Sequence, residues 1–132
     1  MGRTVLLAIG LALAASTVAA REIRRDAVPE TFWGTWAAGA DACKEKAAQA
    51  IVLAKRTYAG PAGTCEIAYV TEIPGRNGPI YSARMRCSGS GKQAPAKIAN
   101  LIIRSEEAGQ QISAGPAFES LVAYRRCPVS NQ

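Results

Sequence analysis

Two runs of alternating residues constrain this chain more than any other feature. Cys65, Ile67, Tyr69, Thr71 and Ile73 alternate with Glu66, Ala68, Val70 and Glu72; after PGRNGP, Tyr81, Ala83, Met85 and Cys87 alternate with Ser82, Arg84, Arg86 and Ser88. A period of two is the signature of a strand with one buried face, so the pair predicts a β-hairpin turning at about Arg76 and Asn77. The register that sets Ile67 opposite Met85, Tyr69 opposite Ala83 and Thr71 opposite Tyr81 also sets Cys65 opposite Cys87. On the outer face it sets Arg86 against Glu66, a cross-strand ion pair worth well under ~1 kcal/mol.

That register bears on the other two cysteines. The chain has four, Cys43, Cys65, Cys87 and Cys127, with no histidine and no Cys-x-x-Cys spacing. Two structural disulfides are therefore expected, and no metal site or redox centre. If Cys65 pairs with Cys87, Cys43 is left for Cys127, one of three connectivities open to four cysteines. It would staple the first element to the last, as closure of a meander barrel requires. Loops of ~20 and ~85 residues closed in this way would each stabilise the fold by roughly 3 to 4.5 kcal/mol in the chain-entropy model.

Disulfides need an oxidising compartment, and the amino terminus supplies the route to one. Arg3 precedes an apolar run from Val5 to Ala15 and then STVAA, in which Val18 and Ala20 fit the small-residue positions of a signal-peptidase site. Residues 1–20 read as a signal peptide cut after Ala20, with periplasmic or secreted localisation. The run is too short to span a bilayer, which takes ~20 residues, so stable membrane insertion is not expected. Removing 20 of the 132 residues leaves 112, enough for one domain, and a small core rich in alanine gains from cross-links.

The remaining segments extend the β pattern. REIRRDAVPE, 21–30, reads as a flexible leader, leaving 31–132 as a single β domain. In FWGTWAAGADAC, alternation places Phe32, Gly34 and Trp36 on one face and Trp33 and Thr35 on the other. Trp36 is the expected core anchor, with Gly34 making room between the rings; Trp33 is left either as an exposed indole and candidate contact residue or as a ring lying under the leader. ADACKEKAAQA predicts a short helix over about 42–49, with a strand over 51–58; continuation of the helix through IVLAKR is the alternative. KIANLIIRSE (97–106), QISAG and ESLVAYRRC (119–127) read as strands. The expected fold is mainly β, a small antiparallel meander barrel or sandwich of about six or seven strands with one short helix.

Few of these residues suggest chemistry. GSGK at 89–92 has Arg86 and Gln93 where a phosphate loop needs glycine and Ser or Thr. Without histidine there is no Ser-His or Cys-His pair. Glu66 and Glu72, if on one strand face, lie roughly 20 Å apart, too far for a glycosidase pair. Neither catalysis nor a cofactor is expected. Losing Arg3 takes the formal net charge from +6 to +5. The basic residues are scattered among acids, which reads as a solvated surface and argues against nucleic acid as a partner. The functional alternative is an anion-binding strip of Arg84, Arg86, Lys97 and Arg104.

Phe32, Gly34, Thr35, Trp36 and Ala37, followed by Cys43, Cys65, Cys87 and a closing Tyr124-Arg125-Arg126-Cys127, resemble small exported four-cysteine proteins of alphaproteobacteria. The resemblance covers nearly the whole mature chain; it implies a disulfide-linked periplasmic β fold and transfers no catalytic residue. A weaker similarity, through the export signal, the early Gly-x-Trp strand and a disulfide, is to periplasmic barrels that inhibit lysozyme or secreted proteases. The function expected is non-catalytic binding or protection in the envelope. The alternatives are inhibition of an envelope hydrolase and electrostatic binding of an anionic envelope polymer. Non-reducing peptide mapping is expected to recover Cys65 linked to Cys87 and Cys43 linked to Cys127; a Cys43–Cys65 peptide would remove both the hairpin pairing and the closure argument.

Overall fold

A computed structural model of the chain describes residues 2, 14, 21–39, 43, 50–61, 63–88, 96–107 and 109–128. Nine strands run in chain order: β1 (Ile23–Arg25), β2 (Gly34–Ala37), β3 (Ala50–Leu53), β4 (Thr57–Gly60), β5 (Gly63–Ile73), β6 (Ile80–Ser88), β7 (Lys97–Glu107), β8 (Gln111–Gly115) and β9 (Val122–Arg126). Every pairing is antiparallel. Strands β2 to β9 follow one another as a meander, and β2 then pairs with β9 through Trp36 opposite Arg126 and Ala37 opposite Arg125. The result is a closed eight-stranded barrel with β1 added outside the meander. It fulfils the mainly β expectation with more strands than the sequence suggested.

The expected 51–58 strand is two strands. The chain reverses at 54–56, where the Ala54 N–H donates to the Thr57 carbonyl, and β3 pairs with β4. A helix continuing through IVLAKR is thereby excluded. The expected helix at 42–49 and the GSGK segment lie outside the described residues, apart from Cys43. At the carboxyl end, ESLVAYRRC is not one strand throughout: Phe118–Ser120 form a 3-10 turn and β9 begins at Val122.

The hairpin of β5 and β6 has the expected register over half its length. Cys65 faces Cys87, Glu66 faces Arg86 and Ile67 faces Met85, after which a bulge at Ala68 shifts the pairing by one. Tyr69 therefore faces Arg84, Thr71 faces Ser82, and Glu72 takes the place opposite Tyr81. An extra residue in one strand reverses which side chains point inward. Val70, fully buried, fills the interior in place of Tyr69, and Glu66 and Glu72 no longer share a face.

Both disulfides form with the pairing read from the sequence, Cys65 to Cys87 across the hairpin and Cys43 to Cys127 between the ends of the fold. The second lies on the outer wall, where Cys127 packs with Ala37 apart from the main core. Its neighbour in the chain closes the barrel from within. The guanidinium of Arg126 lies 4.2 Å from the centroid of the fully buried Trp36 ring. It donates to the carbonyls of Trp33 at 2.8 Å, Gly109 at 3.0 Å and Thr31. Gly34 has a positive φ of 130°, and a Cβ there would stand 3.2 Å from Arg126 Nη1. The space left by Gly34 is thus filled by a guanidinium and not, as the alternation suggested, shared between two aromatic rings.

The leader packs against the same end of the barrel. β1 pairs with Val70–Glu72, along the part of β5 that β4 does not reach. The Val28 N–H donates to the Lys55 carbonyl, and Val28 and Phe32 are buried, the Phe32 ring meeting Tyr81 edge-on at 5.2 Å. Phe32 belongs to a 3-10 turn over Glu30–Phe32, so β2 starts only at Gly34. Charge-assisted bonds and a cation–π contact of this kind are worth a few kcal/mol together. Arg126→Ala is expected to lower the unfolding free energy by about 3 kcal/mol, measured by urea denaturation; Arg126→Lys, lacking the planar fork, is expected to recover less than half of it.

Candidate functional site

Strand direction separates the two ends of the barrel. The leader, the turns at 54–56 and 74–79 and the Gly109 turn gather at one end, where Trp36, Phe32 and Arg126 seal it. Pro61 and the 116–121 connection belong to the other, which also carries the carboxyl end of β6 and the start of β7. Large side chains, Ile67, Ile103 and Ile112 among them, fill the middle of the interior. Nearer the second end the inward positions turn small, with Ala99 on β7 and Ala114 and Gly115 on β8. An eight-stranded barrel is just wide enough for ordinary side chains to fill it, so small residues leave a space.

That space is an apolar cup of about 430 Å3, lined from the inside by Ile51, Tyr58, Met85, Ala99, Leu101, Ala114 and Tyr124 and rimmed by Pro61, Asn100, Gly115, Pro116, Ser120 and Val122. Its volume falls within the ~300 to ~1,000 Å3 of small-molecule sites. Two glycines shape it. A Cβ on Gly60 would lie 2.8 Å from Tyr58 Cζ and 2.9 Å from Ile51 Cγ2, so the phenol ring packs over bare backbone. A Cβ on Gly115 would meet the Ser120 carbonyl at 2.5 Å, so the 116–121 connection can fold back onto β8 only over glycine. Phe118 and Val122 stand exposed in and just after this connection.

Ionisable groups near the cup are few. Among the described residues the lining has no carboxylate and no cation, and its ionisable groups are the phenols of Tyr58 and Tyr124. Burial pushes the Tyr124 phenol above its ordinary range and keeps it neutral.

The residues singled out from sequence are distributed differently. Trp33 is half-buried against the core at the sealed end, and its indole N–H donates to the Val28 carbonyl at 2.9 Å. Arg84 and Arg86 share the outer wall; Arg84 faces Asn100 and donates to its Oδ1 at 3.3 Å. Arg86 makes no ion pair with Glu66 although the two are opposite: among the described residues the salt bridges are Arg25–Glu72 and Arg104–Glu106. Arg104 lies four β6 residues away from Arg84, roughly 13 Å, with its Nε held 2.7 Å from Glu106. Lys97 faces Cys87, whose side chain is inward, so it belongs to the rim of the open end and not to the outer strip. The four cations do not form one surface.

No protein-family model matches the chain, nor does any curated protein or solved structure. The site therefore has to be read from its own chemistry.

Sequence reasoning missed the cup, although a signal for it was present. Ala99, Ala114, Gly115 and Gly60 are small residues that recur at one end of successive strands, while Trp and Ile occupy the other. The opposite end has its own polar network. Glu72 accepts from the Tyr81 hydroxyl at 2.9 Å and pairs with Arg25 at 2.9 Å. The bonds from Arg25 and then Tyr81 hold its carboxyl below the ordinary carboxylate range, and Arg104 and then Ser113 do the same for Glu106. A depressed carboxylate contributes stability above its unfolded pKa and loses it as pH falls through the folded value. The expectation is that Glu72→Gln flattens the acid limb of the Tm–pH profile relative to wild type, because one of these two carboxylates no longer takes up a proton on unfolding.

Proposed function

We propose that this chain is a non-catalytic periplasmic binding protein that holds a small apolar molecule in the open end of its barrel. The observation that carries the reading is the cup of about 430 Å3, walled by aliphatic and aromatic side chains at one end of a barrel whose other end is sealed. Binding sites of this kind combine apolar walls with a few polar groups, as this one does. That the described wall residues include no carboxylate, lysine or arginine supports holding a ligand over transforming it. The export signal and the two disulfides support the periplasm as the compartment.

The other readings draw less support. Inhibition of an envelope hydrolase through an inserted terminus would need the leader to detach from β5, from the Lys55 carbonyl and from the core under Phe32. Capture of an anionic polymer would need the basic side chains gathered on one face, and Arg84, Arg86, Lys97 and Arg104 are dispersed over the wall and rim.

The test is uptake of a hydrophobic fluorophore. N-phenyl-1-naphthylamine is expected to bind the mature protein with one site per chain and enhanced emission. Ala99→Phe, which fills the mouth from a half-buried position, is expected to weaken binding at least tenfold while leaving the circular dichroism spectrum unchanged. Equal binding by the filled variant, or none by the wild type, would sink the proposal.

A further inference from the structure

The polar groups around the cup are almost all engaged elsewhere. Ser120 donates its hydroxyl to the Ala117 carbonyl at 3.3 Å. Asn100 is exposed and turned to the outer face, where its Oδ1 accepts from Arg84. Tyr58 is engaged within the chain. Tyr124 differs from all three: its residue is nine-tenths buried, it lines the cup, and its hydroxyl has no hydrogen-bond partner among the described residues. An unpaired hydroxyl on a wall whose other described groups are apolar or engaged is free to donate to whatever occupies the cup. No described side-chain nitrogen or oxygen is both fully sealed from solvent and unpaired, so the Tyr124 oxygen remains reachable, and the accessible space beside this residue is the cup.

Its position along β9 sets how a ligand would meet it. Tyr124 pairs with Ile112, one inward layer deeper than Ala114 opposite Val122, and one layer above Trp36 opposite Arg126. The Tyr124 backbone thus stands one layer below the mouth, and its side chain lines the cup. A neutral phenol is a better donor than acceptor, and its unmet need is for an oxygen or nitrogen lone pair.

Building on the binding function proposed above, we infer that the ligand is an uncharged, mainly apolar molecule with a single hydrogen-bond acceptor, such as a ketone, ester or ether oxygen, which enters the cup and accepts from the Tyr124 hydroxyl. An ionised headgroup would meet no counter-charge among the described lining residues. A pure hydrocarbon would fill the cup and leave the phenol unpaired.

An isosteric pair of probes tests this. Butyrophenone and butylbenzene share shape and differ by a carbonyl in place of a methylene; both are titrated by displacement of N-phenyl-1-naphthylamine from wild type, Tyr124→Phe and Ser120→Ala. Tyr124→Phe is expected to weaken butyrophenone about 3- to 10-fold, the worth of one neutral hydrogen bond, and to leave butylbenzene within about twofold. Ser120→Ala should leave the ratio of the two affinities unchanged. The infrared carbonyl stretch of butyrophenone bound to wild type should move to lower frequency than in hexane, a readout that needs no variant. An unshifted stretch, or a parallel loss of both probes in Tyr124→Phe, overturns the inference while the binding function stands. Failure of wild type to take up even N-phenyl-1-naphthylamine overturns both, and the two failures are thereby distinguished.

Discussion

The contact of Arg126 with Trp36 is the point on which the rest of the barrel depends. It joins the last strand to the first strand of the meander, from the inside and at the sealed end, while the Cys43–Cys127 bond joins the same two regions from the outside. One guanidinium collects the carbonyls of Thr31, Trp33 and Gly109, which come from the 3-10 turn leading into β2 and from the β7–β8 turn. A cation with five donors in a rigid fork suits this, because a barrel end concentrates carbonyls that have no strand partner. With that end fixed, the opposite end is relieved of closing the fold and its inward positions can be small.

The division of labour follows from the arithmetic of a small domain. A chain of this size has little apolar surface to bury, and much of its apolar content is alanine. Trp36, Phe32 and Val28 concentrate the large side chains at one end, the two disulfides limit the unfolded ensemble, and the leader adds a strand where β4 stops short. An open apolar cup gives up burial that a filled interior would have, and the structure offsets this through cross-links and the arginine closure.

Much of the fold was legible in residues 63–107 because alternation there is strict and the hairpin turn is unmistakable. The cysteine register followed from the same pattern, since residues directly opposite in a hairpin share a face. What failed was local. The bulge at Ala68 has no composition signal, because an alanine suits either face, and with it went the assignment of Tyr69, Thr71 and Glu72. The tight reversal at 54–56 carries no glycine or proline, so 51–58 read as one strand in place of two. Alternation alone set Trp33 apart from Trp36, and charge and proline in the leader suggested exposure; Val28, Phe32 and Trp33 instead meet at the barrel end, a surface that no local window contains.

The candidate site shows the same boundary. By itself the sequence determined a mainly β chain with a hairpin of defined starting register, two disulfides of specified pairing and a core anchored on Trp36. Each of these follows from periodicity, or from the pairing of cysteines once one pair is placed, and both are properties of nearby residues or of elimination. Only the tertiary structure decided which end of the barrel is sealed, that Ala99, Ala114 and Gly115 surround one space, and that Tyr124 lines it without a partner. A cavity is defined by side chains that are absent from a volume bounded by several strands, and its dimensions exist only once closure has brought β3, β4 and β6 to β9 around it.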